Sequence, residues 1–283
     1  MKTILLALAL ISALPAFAEN VVLVNGTIID GTQKARFQGN VRIRDGKIAD
    51  IGVFRPAAGE TVLDVKGLIV APGFIDLHNR SAGTLEQDPG APSQISQGIT
   101  TVLLGADGIG FFSVEKFMFQ FDEKPLALNL TTLVGHATVR RQIMGDDQKR
   151  AATEDEIRRM GELVDSAMRQ GAFGMSSGLA VEPGSYSTID ELVALAKVVA
   201  RYGGLFVTDL REEAGNPIGS IAEAIQIGRA AKVAVQVPHV RTAQILAEID
   251  KARMQGIDIA ADIYPYDVDT PTMTALLAHP WVL

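Results

Sequence analysis

The chain has 283 residues, with 26 Lys+Arg against 33 Asp+Glu and a formal net charge of −7, a balance that excludes the clustered positive surface of a nucleic-acid-binding protein. A hydrophobic content of 47% and a charged content of 21% exclude a disordered chain. Cysteine is absent, which excludes disulfides and thiolate metal sites, so a metal must be held by carboxylates, a modified Lys or the four His.

The chain opens with Met1-Lys2, an apolar stretch from Ile4 to Ala13 and the small-residue site Ala16-Phe17-Ala18. This is the layout of a secretory signal peptide, and its apolar part falls short of the roughly 20 residues of a bilayer span. Residues 1–18 are therefore expected to be cleaved, giving a periplasmic or secreted protein with no stable membrane span. Residues 19–66 read as a small β module. Val21 to Val24, the dipeptide Asn25-Gly26, Thr27 to Gly31, and Asn40 to Arg44 followed by Asp45-Gly46 alternate apolar and polar residues between hairpin-type turns.

From residue 67 to 283 the pattern becomes strand followed by helix. Strands are predicted at 68–78, 100–106, 127–136, 173–179, 205–211, 233–240 and 258–266, mostly as the continuous apolar runs of parallel strands covered on both faces. Thr153-x-x-Glu156 and Thr188-x-x-Glu191 are capping boxes that open two of the intervening helices. The spacing favours a (β/α) barrel over a doubly wound sheet, although periodicity is common to both. Seven strands are legible where a closed barrel of this kind has eight, so the expectation is an incomplete barrel whose open edges invite self-association.

Catalytic side chains of such barrels project from the C-terminal ends of the strands. Those ends supply His78 and Arg80 on one face of the first strand, then Asp107, His136, Asp209 and His239. Singly, each has an ordinary explanation as a satisfied strand-end His or a helix-capping Asp. Together they offer the nitrogen and oxygen donors suited to Zn²⁺ and similar ions.

Several stretches, in order, are similar to one family. Val70-Ala71-Pro72-Gly73-Phe74-Ile75-Asp76-Leu77-His78 resembles the opening metal-binding strand of the amidohydrolase superfamily. The segments Gln97 to Val102, Leu133 to His136, Gly171 to Leu179, Tyr202 to Thr208 and Asp262 to Tyr266 resemble N-acyl-D-amino-acid deacylases, also called D-aminoacylases. The resemblance implies an α/β fold, a metal-dependent-hydrolase (β/α) barrel with a small β-sandwich, hydrolysing the amide of N-acyl-D-amino acids with a bound divalent metal. His78 matches the first His of the family's His-x-His pair, and Arg80 stands where the second His belongs. Asp107 stands at the position of a bridging Cys, Asp209 replaces the His of a Thr-His-x-Arg motif, and His239 matches the His of a Ser-His-x-Lys motif whose Lys is here Arg241. Arg241 and Tyr264 are then the residues that hold the substrate carboxylate.

Arginine has no lone pair to offer a metal, so one of the family's two metal positions is expected to be lost. A single divalent ion, zinc by preference, is expected on a set drawn from His78, Asp107, Asp209 and His239. The family's general base is an Asp on the eighth strand, and no residue here is assigned that catalytic role. Two readings of function follow. One is a metal-dependent amide hydrolase acting on small N-acyl amino acids, and the other is a catalytically impaired relative that binds a ligand or serves as a scaffold.

Overall fold

The computed structural model describes residues 20–121, 124–212, 215–240 and 242–263. The predicted signal peptide, Arg241 and Tyr264 lie outside these residues. The chain divides into two compact units between Gly73 and Phe74. Among the described residues, no helix is long and apolar enough to cross a membrane.

In the first unit, β1 (Val21–Ile28), β2 (Phe37–Arg44), β3 (Lys47–Gly52), β4 (Thr61–Asp64) and β5 (Ile69–Val70) form one sheet. β1 pairs antiparallel with β2 and parallel with both β4 and β5. The dipeptides Asn25-Gly26 and Asp45-Gly46 have different fates. Asp45 and Gly46 both take positive φ, 51° and 70°, and close the β2–β3 hairpin in the way a two-residue turn requires. Asn25, at φ 63°, instead sits in a bulge of an unbroken β1, where the register with β2 shifts between Leu23 and Gly26. Its N–H donates to Asn40 Oδ1 at 3.0 Å and its amide to Asp64 Oδ1 at 2.9 Å, so side chains of both neighbouring strands hold the extra residue.

In the second unit, seven parallel strands run in chain order: β6 (Phe74–Asp76), β7 (Ile99–Leu104), β8 (Asn129–Gly135), β9 (Gly174–Gly178), β10 (Leu205–Asp209), β11 (Ala234–Val237) and β12 (Ile259–Ala261). The run read as one strand over 68–78 is broken at Pro72-Gly73, and its two halves serve as β5 and β6 in different sheets. Between the strands lie α1 (Ala82–Gln87), α2 (Pro92–Ile95), α3 (Val114–Phe119), α4 (His136–Met144), α5 (Glu154–Arg169), α6 (Ile189–Ala200), α7 (Pro217–Ala231) and α8 (Ala243–Met254). Helices α5 and α6 turn Met160, Val164, Leu192, Leu195 and Val199 onto Val134, Met175 and Phe206 of the sheet, all fully buried. This is the helix-on-parallel-sheet core that continuous apolar strands require.

The sheet is strongly curled. Five strand spacings separate β6 from β11, about 24 Å across a flat sheet at about 4.8 Å per step. Yet the imidazoles of His78, just past β6, and His239, just past β11, meet at 3.2 Å. Curling of the (β/α)-barrel type is what brings the two strand ends together.

The two capping boxes are built differently. At α5, the Thr153 hydroxyl accepts the N–H of Glu156 and the Glu156 carboxylate accepts the N–H of Thr153. At α6, Thr188 accepts the N–H of Glu191 at 3.2 Å, but the Glu191 carboxylate turns inward. There it meets His136 Nε2 at 2.7 Å and Arg140 Nη1 at 2.5 Å, all three side chains being fully buried.

Candidate metal centre

The site is assembled from the C-terminal ends of β6, β7, β10 and β11. After β6 the chain is set by its own polar side chains. Asp76 accepts the N–H of His78 at 3.1 Å and the side-chain amide of Asn79 at 2.8 Å, while Asn79 Oδ1 accepts the N–H of Ser81 at 2.8 Å. This bracket presents His78 into the site with its side chain almost buried.

After β7 the chain enters the glycine-rich turn Gly105-Ala106-Asp107-Gly108, with Asp107 in the left-handed region at φ 58°. Ser176 of β9 bridges the turn, since its hydroxyl donates to Gly105 O at 2.5 Å and accepts the N–H of Gly108 at 3.1 Å. Gly108 combines φ 76° with a backbone approach so close that a Cβ there would lie 2.8 Å from the Gly178 nitrogen. No other residue type fits such a position.

Three ligand atoms converge. His78 Nε2 lies 3.0 Å from Asp107 Oδ1 and 3.2 Å from His239 Nε2, and the three residues can offer donor atoms all within 4.8 Å of one another. The two rings are tilted by 55° with centroids 4.1 Å apart. Asp107 Oδ1 is buried, and its near polar neighbour is His78 Nε2 at 3.0 Å, an approach without the direction of a hydrogen bond. Its other oxygen, Oδ2, is taken by Arg80 Nη2 at 2.6 Å, and the Arg80 side chain is more than half exposed.

The electrostatics follow from this crowding. Burial pulls the His78 pKa down, but the Asp107 carboxylate beside it outweighs burial and raises it. Burial alone would raise Asp107, yet His78 and Arg80 together hold it below the ordinary carboxylate range. Asp209, the last residue of β10, is pushed up to about 7, first by burial and then by the charge of Asp107. His239 is lowered by burial and by its neighbour His78. Two imidazoles and two carboxyls, all shifted and crowded into one small volume, are the kind of set found where a cation binds.

The donor set suits such an ion. Two imidazole nitrogens and one carboxylate oxygen form the mixed N/O combination that Zn²⁺ and its neighbours accept. Among the described residues the cluster consists of His78, Asp107 and His239, and Asp209 is near enough to feel the charge of Asp107. His136 is elsewhere, buried against Glu191. The residues that hold the site from behind, namely Asp76, Asn79, Ser176 and Asp262, were not singled out by sequence reasoning. Asp76, Ser176 and Asp262 lie inside the recognised motifs, so those motifs held the available signal.

A family model described as "Amidohydrolase family" matches residues 61–263. The chain is 33% identical over 279 residues to a D-aminoacylase of Alcaligenes xylosoxydans xylosoxydans, covering 87% of this chain and 57% of the relative. Among solved structures, it is similar to an N-acyl-D-glutamate deacylase from Bordetella bronchiseptica complexed with zinc and a phosphonate mimic of the tetrahedral intermediate. That match has a TM-score of 0.81 and 33% identity, covering 88% of this chain and 59% of that one. A D-aminoacylase structure with the same TM-score and 29% identity, of which 59% is covered against 88% of this chain, is described as having a binuclear metal centre with one-metal activation and second-metal attenuation. This chain thus spans less than three-fifths of the length of these relatives.

Proposed function

The chain belongs to the amidohydrolase family, and on that footing we propose that it hydrolyses the amide bond of N-acyl-D-amino acids with one divalent cation, zinc by preference, held by His78, Asp107 and His239. The observation that carries this reading is the convergence of two imidazole Nε2 atoms and Asp107 Oδ1 from three separate strand ends. A bound divalent cation supplies Lewis-acid polarisation of the amide carbonyl and acidifies water. The likeness to deacylases that act on N-acyl-D-amino acids supports the substrate class.

The chain's own residues set the rest. Arg80 engages Asp107 Oδ2 at 2.6 Å, and so competes with a second ion for that oxygen. The guanidinium cannot itself be a ligand, so it contributes a fixed positive charge where a second cation would otherwise be held. On the family pattern, Arg241 and Tyr264 bind the substrate carboxylate. The leader-like start of the chain supports a periplasmic or secreted site of action.

Elemental analysis of the purified full chain, paired with an assay on N-acetyl-D-amino acids, tests the reading. One zinc per chain and turnover that a chelator abolishes and zinc restores are expected. Arg80→His, which replaces a non-ligand with an imidazole, is expected to raise the metal content above one. Absence of stoichiometric metal would overturn the centre, and stoichiometric metal without hydrolysis would favour a binding role.

A further inference from the structure

His239 follows Val237 and Pro238 at the end of β11 and takes a left-handed backbone conformation, φ 58°. A side chain with a Cβ adopts that conformation only at an energetic cost, so the surroundings must over-determine it. The surroundings here are dominated by one residue, Asp262, immediately beyond β12. Its backbone N–H donates to Val237 O at 3.1 Å and its carbonyl accepts the N–H of Val240 at 3.0 Å. Its carboxylate accepts the N–H of His239 itself at 3.0 Å through Oδ1, and the side-chain amide of the buried Gln236 at 2.9 Å through Oδ2. Pro238 has no N–H to contribute. The whole turn from 236 to 240 is therefore hung on Asp262.

We propose that Asp262 is a positioning residue for the metal centre, locking the backbone of His239 in its left-handed turn so that Nε2 is aimed at His78 and Asp107 before any ion arrives. The proposal rests on the metal-binding reading above. It assigns Asp262 no contact with the ion, because both its oxygens are already engaged by donors from the 236–240 turn. The backbone N–H of a ligand is an indirect handle, yet it is a fixed point close to the Cα of His239. Releasing it frees φ, and a rotation there swings the imidazole away from a partner only 3.2 Å distant. Supporting residues of this kind are worth about 10- to 100-fold in metal affinity when removed.

The test uses the full chain with Asp262→Ala, Asp262→Asn, His239→Ala and the double variant His239→Ala/Asp262→Ala. Cobalt(II) is titrated as the probe through its visible spectrum, and ion-free crystal structures of the wild type and D262A are compared. D262A is expected to bind cobalt about 10- to 100-fold more weakly, and D262N, whose amide oxygen can still accept the His239 N–H, is expected to recover most of the loss. In the H239A background the same D262A change should have no further effect, since its only route to the ion has been removed. In ion-free D262A, His239 should leave the left-handed region and its Nε2 should move out of contact with His78. Equal weakening in both backgrounds, or an unmoved His239 in D262A, would overturn the proposal. If wild-type protein binds no cobalt, the metal-binding reading fails, while the two crystal structures still decide whether Asp262 holds His239. If D262A does not fold, Asp262→Glu, which displaces the carboxylate by one methylene, carries the same comparisons.

Discussion

Thr153-x-x-Glu156 and Thr188-x-x-Glu191 are the same four-residue signal, yet one lies at the surface and the other supplies a charge to the core. Both threonines accept the N–H of the glutamate three residues on, at 3.3 and 3.2 Å. The glutamates then part. Glu156 closes the reciprocal bond and pairs with Arg150 at 2.7 Å, still reached by solvent, whereas Glu191 is wholly enclosed between His136 and Arg140. A capping motif dictates the backbone of a first turn, and the tertiary surroundings choose the destination of its carboxylate. The two networks also touch, because Arg140 donates to the carbonyl of Arg150 at 2.6 Å while the Arg150 guanidinium holds Glu156.

Truncation should separate the two most sharply. Glu191→Ala strands a buried guanidinium and a buried imidazole, and urea unfolding should show a loss of about 3–5 kcal/mol. A loss no greater than that of Glu156→Ala would erase the distinction. The threonines, by contrast, should be equivalent, with Thr153→Ala and Thr188→Ala each costing about 1 kcal/mol and a large inequality showing that the cap itself differs. The double variant Glu156→Ala/Glu191→Ala should depart from additivity by about 0.5 kcal/mol, the lower end for members of one network, whereas strict additivity would mean that Arg150 transmits nothing.

The smallest effect is in the pH profile. Arg150 and the Thr153 N–H hold Glu156 down to about 2, from an ordinary 4.5. Glu191 is also lowered, since burial works against ionisation but His136 and Arg140 overcome it. A carboxyl whose folded pKa lies below its unfolded value stabilises above the unfolded value and loses that contribution as pH falls through the folded one. Stability should therefore decline from about pH 4.5 downward, and the part carried by Glu156, about a few tenths of a kcal/mol after solvent screening, should vanish in Glu156→Gln. Adding about 0.5 M NaCl should erode that part and spare the part from Glu191, because buried pairs are screened far less.

The same division between local signal and distant partner decides what could be read in the sequence. Helix starts were legible because Thr153 and Thr188 act on residues three positions away. The strands were legible as apolar runs, but the run over 68–78 concealed a break at Pro72-Gly73, and Asn25-Gly26 looked like a hairpin when it is a bulge held by Asn40 and Asp64. His78, Asp107 and His239 stood out because residue type and strand-end position are both local properties. Their supports did not. Ser176 reaches Gly108 across 68 positions, Asp262 reaches His239 across 23, and Glu191 reaches His136 across 55, so their roles exist only once the sheet has curled.

That His78 and His239 stand 161 residues apart in the chain has a consequence in time. The helices and neighbouring strand pairs of the second unit form from contacts close in sequence, whereas the encounter of these two imidazoles carries one of the longest loop closures in the fold. On the metal-binding reading proposed above, cation affinity is a property acquired near the end of folding. On the ribosome, the site cannot exist until His239 has emerged and β11 has docked, so a nascent chain displaying β6 and His78 cannot yet hold the ion in its native place.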